Sequence, residues 1–99
     1  MNKEKLVSSL GIVSSANKLT YGSKLIDKIR ENKVSLVIIV TDIGPSQYKK
    51  ITNKCSFYNV KYYDNLLNGM ELSKAIGKDN IKAVGIQDSN FIKLILSNI

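Results

Sequence analysis

At 99 residues, 43% hydrophobic and without a long apolar run, the chain reads as one domain, residues 1–99, soluble and cytoplasmic, with no signal segment and no membrane partner. One cysteine, Cys55, and no histidine exclude an internal disulfide, a soft-metal cluster and the commonest general base, so no metal, cofactor or enzymatic role is expected. A net charge of +7 points instead to a polyanionic partner, most simply nucleic acid.

Residues 3–15 place Leu6, Leu10 and Val13 at helical spacing, with Val7 beside them and Gly11 expected to end or bend the helix. Lys18 to Tyr21 has strand-like residues before a turn at Gly22. Ser23 is the expected N-cap of a helix reaching Asn32, with Leu25, Ile26 and Ile29 on its apolar side. Leu36 to Val40 is an unbroken, mostly β-branched apolar run closed by Thr41-Asp42. It reads as a central strand buried on both faces, which requires helices on both sides. Gly44-Pro45 opens the next helix, whose stripe of Tyr48, Ile51, Cys55 and Tyr58 makes Cys55 a core residue. Val60 to Tyr63 predicts a strand, and Asp64 to Gly69 a loop that exposes Leu66 and Leu67 unless they pack. Met70 to Ile76 predicts a short helix stopped by Gly77, and Ile81 to Ile86 a further strand. Asp88 or Ser89 caps a last helix in which Phe91, Ile92, Leu94, Ile95 and Leu96 are expected to form a broad buried face. This alternation gives an α/β protein, a three-layer α-β-α sandwich around a small mixed four-stranded sheet.

The positive charge is uneven. Residues 1–33 hold seven basic and three acidic side chains, residues 34–66 four and two, and residues 67–99 four and three. Lys24 and Lys28, four apart, fall opposite the apolar side of their helix. They are either a solvated face tied by Lys24–Asp27 or Lys28–Glu31 pairs, or a surface for an anionic ligand.

Several segments taken together resemble one family. Leu10-Gly11-Ile12, then Ala16, Lys18, Leu19 and Gly22, the apolar strand ending in Thr41-Asp42, Asn53-Lys54-Cys55 with Tyr58, Val60 and Tyr62, and Lys74-Ala75-Ile76-Gly77-Lys78 are similar to the bacterial YlxQ-like proteins. These belong to the kink-turn-binding ribosomal protein superfamily. The resemblance spans essentially the whole chain. It implies the same sandwich and, as function, non-catalytic binding of structured RNA in a ribosomal or translational setting; apart from the resemblance, a monomer is the simplest expectation for the chain. In that family a Gly-x-Asn-Glu-x-x-Lys motif at a strand-to-helix junction contacts the kinked RNA. The corresponding residues here are Gly22-Ser23-Lys24-Leu25-Ile26-Asp27-Lys28. Gly22 and Lys28 match, whereas Lys24 stands in place of Asn and Leu25 in place of Glu. Leu25 cannot accept a hydrogen bond from a guanine edge. The resemblance thus implies RNA contacts at Lys18, Gly22, Ser23, Lys24 and Lys28, with Asp42 and the loop residues Leu67, Asn68 and Gly69 beside them.

Two other function classes fit parts of the chain. An exposed Leu66, Leu67 and Met70 would make a patch for a protein partner. A buried strand ending in Asp42 resembles the phospho-acceptor strand of a receiver domain, although no early acidic pair accompanies it to hold Mg²⁺.

Overall fold

The computed structural model describes residues 1–99. Its elements are α1 (Lys3–Ser15), β1 (Leu19–Tyr21), α2 (Lys24–Arg30), β2 (Leu36–Ile39), α3 (Pro45–Phe57), β3 (Lys61–Tyr63), α4 (Gly69–Ile76), β4 (Ala83–Ile86) and α5 (Ser89–Leu96). The four strands form one sheet in the order β1-β4-β2-β3. β4 is antiparallel to both β1 and β2, whereas β2 and β3 are parallel and joined through α3. The result is the expected three-layer sandwich around a four-stranded mixed sheet.

β2 shows why the core has two halves. Side chains alternate across a strand, so Leu36, Ile38 and Val40 join Leu6, Leu10 and Val13 of α1, Leu72 and Ile76 of α4 and Ile95 of α5 on one face. Val37 and Ile39 join Leu25 and Ile29 of α2 and Ile51 and Cys55 of α3 on the other. All four residues of β2 are buried. Burial pushes the Cys55 thiol up to about 11, as befits a core residue rather than a nucleophile.

Gly85 sets how closely the second layer approaches. A Cβ there would stand 2.7 Å from Leu25 Cδ1 and 2.9 Å from Val34 Cγ1, so α2 packs directly on the backbone of β4. Gly11 does a similar job in the first layer: it does not end α1, which runs on to Ser15. A Cβ on Gly11 would lie 3.2 Å from the carbonyl oxygen of Ala75 in α4. The residue keeps two helices close and leaves one of them unbroken.

Helix ends follow one pattern. Asn17, Asn32 and Asn59 adopt left-handed φ values of 61°, 57° and 59° just beyond α1, α2 and α3, and Gly77 does so after α4 with a φ of 67°. In each case the next N–H reaches back to the last turn: Lys18 to Val13, Lys33 to Lys28, Val60 to Cys55 and Lys78 to Ser73. Asparagine tolerates this conformation better than other side chains except glycine, so the Asn-rich sequence supplies its own helix stops. Pro45 occupies the first turn of α3, and the Asp88 carboxylate accepts from the N–H groups of Asn90 and Phe91 at the start of α5.

Two expectations need correction. Ser23 is not a side-chain cap: its backbone is already helical and its hydroxyl makes no capping bond. The face of α5 is narrower than the run of apolar residues suggests. Ile95 is buried, Phe91, Ile92 and Leu94 are half-buried and Leu96 is exposed, because α5 is covered mainly from the side of α1, and one neighbouring helix covers one face of it.

Candidate nucleic-acid interface

Strand directions gather the residues of interest. β1, β2 and β3 run one way and β4 runs the other. The chain therefore leaves β1 at Gly22, β2 at Val40 and β3 at Asp64, and enters β4 from Lys82, all at the same end of the sheet. The N–H of Val40 donates to the Lys82 carbonyl at 3.0 Å, and the N–H of Thr41 donates to the Leu67 carbonyl at 2.9 Å. These bonds tie three of the four segments together.

Gly22 leaves β1 with a φ of 67° and open space where a Cβ would stand. This left-handed residue turns the chain abruptly into α2. An open groove beside the free edge of β1 runs from Asn17 through Tyr21 and Gly22 to Lys24 and Lys28, and no carboxylate lines it. Lys24 is in no ion pair, while Lys28 sits 3.8 Å from Glu31. The intrahelical Lys28–Glu31 pair thus exists, but Asp27 faces Arg30 at 4.0 Å and leaves Lys24 free. Lys33, only 3.1 Å from Glu31, takes most of that carboxylate and holds its pKa below the ordinary value, with Lys28 adding to the effect. Lys28 therefore remains available. Because α2 has only seven residues, its macrodipole is weak and the lysines dominate the attraction. Leu25 is buried against Gly85, so this position of α2 is part of the core.

Asp42 has a defined partner. Its Oδ1 accepts from the Gly69 N–H at 2.7 Å, which places a carboxylate on the first turn of α4. A Cβ on Gly69 would lie 3.3 Å from that oxygen and 3.8 Å from Lys82 Nζ. Asn68 and Glu71 complete the helix start as a reciprocal capping box, with bonds of 2.8 and 2.9 Å. The Glu71 carboxyl is held below its ordinary pKa by the Asn68 N–H first and by Lys3 second. Asp64 plays a parallel part beside α3, accepting from the Tyr48 hydroxyl at 2.6 Å. That bond, with some burial, pushes the Tyr48 hydroxyl up to about 12.

The expected residues therefore separate. Gly22, Ser23, Lys24 and Lys28 share one surface. Lys18 lies at the other end of β1, beside Gln87 and Asp88, about 10 Å along the strand. Leu67 is only 1% exposed and Leu66 7%: both belong to the core cluster of α1, α4, α5 and the sheet, so the Leu67 side chain is unavailable to a ligand. Their burial also removes the apolar partner patch, of which only Met70 remains exposed. No group of three acidic or thiol side chains gathers around Asp42 as a cation site, so the receiver-like reading finds no support there. No helix is long and apolar enough to cross a membrane.

The family model described as "Ribosomal protein L7Ae/L30e/S12e/Gadd45 family" matches residues 4–95. The chain belongs to that family. Among its L7Ae-type relatives, "RNA-binding protein YlxQ" of Enterococcus faecium is 33% identical over 93% of this chain and 88% of its own length. The protein of the same name from Bacillus subtilis (strain 168) is 32% identical over 89% of this chain and 88% of its own. A solved structure of a protein of unknown function from Bacillus halodurans superposes with a TM-score of 0.87 at 28% identity, over 95% of both chains. The Giardia lamblia 15.5kD RNA binding protein shares the fold, with a TM-score of 0.78 at 16% identity over 96% of this chain and 82% of its own.

Two cations near Gly22 escape the sequence reading. Lys82 reaches the Gly69–Asp42 corner, and Lys50 lines a groove that begins at Gly22 and Ser23. Neither carries a local signal, because only the strand order brings them to Gly22. Charge counting also misplaces the free cations. Lys3, Lys28, Arg30 and Lys33, all within the basic first third, have acidic partners, whereas none of the lysines beyond residue 34 is in an ion pair.

Proposed function

We propose that this protein binds structured RNA, a kink-turn-like or bulged helix, as a non-catalytic monomer on ribosomal or translation-associated RNA. The observation that carries the reading is the groove along β1, with Lys24 and Lys28 on one wall, Gly22 at its end and no carboxylate in it. The names of the two YlxQ relatives support the same partner. The lysines attract phosphates, and Gly22 lets a sugar-phosphate backbone approach the turn closely. Lys82 adds a third charge at the same end of the sheet, and Asp42 holds the neighbouring Leu67–Gly69 loop in place. With Leu25 in the core, no carboxylate stands ready to read a guanine edge, so the bend or bulge is recognised by shape.

The test is a gel-shift comparison of a kink-turn, a plain duplex and a single strand at several salt concentrations. The kink-turn binds best, and its affinity falls steeply with salt. The variant Lys24→Ala with Lys28→Ala loses about tenfold in affinity at low salt while keeping its melting temperature. Equal weak binding to all three RNAs overturns the reading. Crosslinking in cells, followed by sequencing of the attached RNA, checks the translational setting.

A further inference from the structure

α3 has a surface that the structured-RNA site does not use. Its sequence from Pro45 to Phe57 contains three lysines, Lys49, Lys50 and Lys54, and no acidic residue. None of the three is in an ion pair, although two ion pairs occupy the C-terminal half of α2 next to it. Ser46, Lys50, Asn53 and Phe57 follow one another at helical spacing and all are exposed. The stripe ends on Phe57, 80% exposed and packed edge-to-face on Tyr58 at 4.9 Å. An aromatic ring held by a neighbouring ring yet open to water on its other side covers no core. Just beyond it Lys61 lies over the ring of Tyr63 at 5.4 Å.

The stripe connects to the site already described, and the connection rests on that reading. α2 and α3 both start at the end of the sheet where Gly22 lies. The groove between them is lined by Gly22 and Ser23 at its mouth, then by Gln47, Lys50 and Arg30, with Asp27 its one carboxylate. Asp27 is the partner of Arg30, so Lys50 keeps its charge free.

We infer that α3 is a track for the single-stranded extension of the bound RNA. Its phosphates run along Lys50 and Lys54, and an unpaired base stacks on Phe57. Unpaired cations along one helix, beginning at a groove and ending at an exposed aromatic ring on the helix face, supply the charge and stacking that sequence-tolerant single-strand binding uses. Thirteen residues of helix span about 20 Å, room for about six stacked nucleotides at ~3.4 Å each.

The test compares a kink-turn RNA with and without a short single-stranded uridine tail, with the tail placed at each end in turn. The unaltered protein binds one tailed RNA about tenfold more tightly than the untailed one. Phe57→Ala abolishes that gain and leaves the untailed affinity unchanged, and Lys50→Ala with Lys54→Ala lowers the salt dependence of the gain. Phe57→Trp retains it. As the chain has no other tryptophan, the emission of the new indole is quenched by the tailed RNA and not by the untailed one. A tail that adds nothing at either end overturns the inference. So does a Phe57→Ala variant that keeps the gain, which would leave Phe57 to a protein partner. The Lys24→Ala, Lys28→Ala variant run alongside separates the two readings. If it binds untailed RNA normally, the structured-RNA site is wrong, while a tail gain that still depends on Phe57 supports the track.

Discussion

Gly22–Lys28 and Leu67–Gly69 lie at the same end of the sheet, yet the first segment turns its cations to solvent and the second turns its groups inward. Lys24 has no ionic partner and Lys28 shares a carboxylate with Lys33. In the second segment, Leu67 is in the core, Asn68 is committed to the capping box and the Gly69 N–H to Asp42. One segment leaves its charge open to solvent, and the other is a packed, hydrogen-bonded corner beside it. Sites built on rigid elements hold their geometry better than sites on free loops, so changes in the two segments should separate into losses of binding and losses of fold.

The largest effect is expected at Leu67. Leu67→Lys puts an ammonium into the buried cluster that contains Leu6, Leu10 and Leu72, where Leu67 is only 1% exposed. Losing the packing alone costs about 2–5 kcal/mol, and burying the charge adds to it. The melting transition of this variant should fall sharply or vanish. A protein that stays folded and binds RNA would mean that Leu67 can swing out, and the contrast between the two segments would collapse.

Asp42→Ala comes next. It removes a carboxylate from the first turn of α4 while leaving the Asn68–Glu71 box intact, so about 1 kcal/mol is expected from urea unfolding. RNA affinity should fall only as far as the loop loosens. A large loss of affinity with unchanged stability would instead make Asp42 a direct contact.

Asp64 gives a test of the same kind by titration. With the folded pKa of Tyr48 raised from 10.0 to about 12, the Tyr48–Asp64 bond contributes its full stability below pH 10 and loses it as the pH climbs toward 12. Ultraviolet titration should show one of the five tyrosines ionising late. Asp64→Asn should bring Tyr48 back toward its ordinary value of 10.0.

Local pattern was enough to read the layers. The unbroken run from Leu36 to Val40 demanded cover on both faces, and the structure provides it with two separate half-cores. Period and turn chemistry also gave Pro45, Gly77 and Asp88 their places. What could not be read was set by partners distant in sequence. Leu66 and Leu67 look exposed in a stretch ending Asn-Gly, and they are buried because Thr41 and Asp42, some 27 residues earlier, pull the loop onto the end of β2. Gly85 looks like an ordinary strand residue until Leu25 and Val34 are placed above it. The left-handed asparagines were legible in principle, since three helices end in the same way.

Ser23 is the smallest test and the most direct comparison of the two readings. By sequence alone it is an N-cap, whose loss costs about 0.5–2 kcal/mol. In the structure Ser23 is already helical and its hydroxyl bonds no backbone N–H. Ser23→Ala should therefore change stability by less than about 0.5 kcal/mol, as exposed substitutions usually do. The same variant should keep most of its RNA affinity, because Lys24 and Lys28 supply the charge in that groove. A drop in stability above ~1 kcal/mol would show that the hydroxyl caps α2 in solution. A selective drop in affinity would mean that the hydroxyl touches the phosphate, and the surface at Gly22 would then read hydrogen-bond geometry as well as charge.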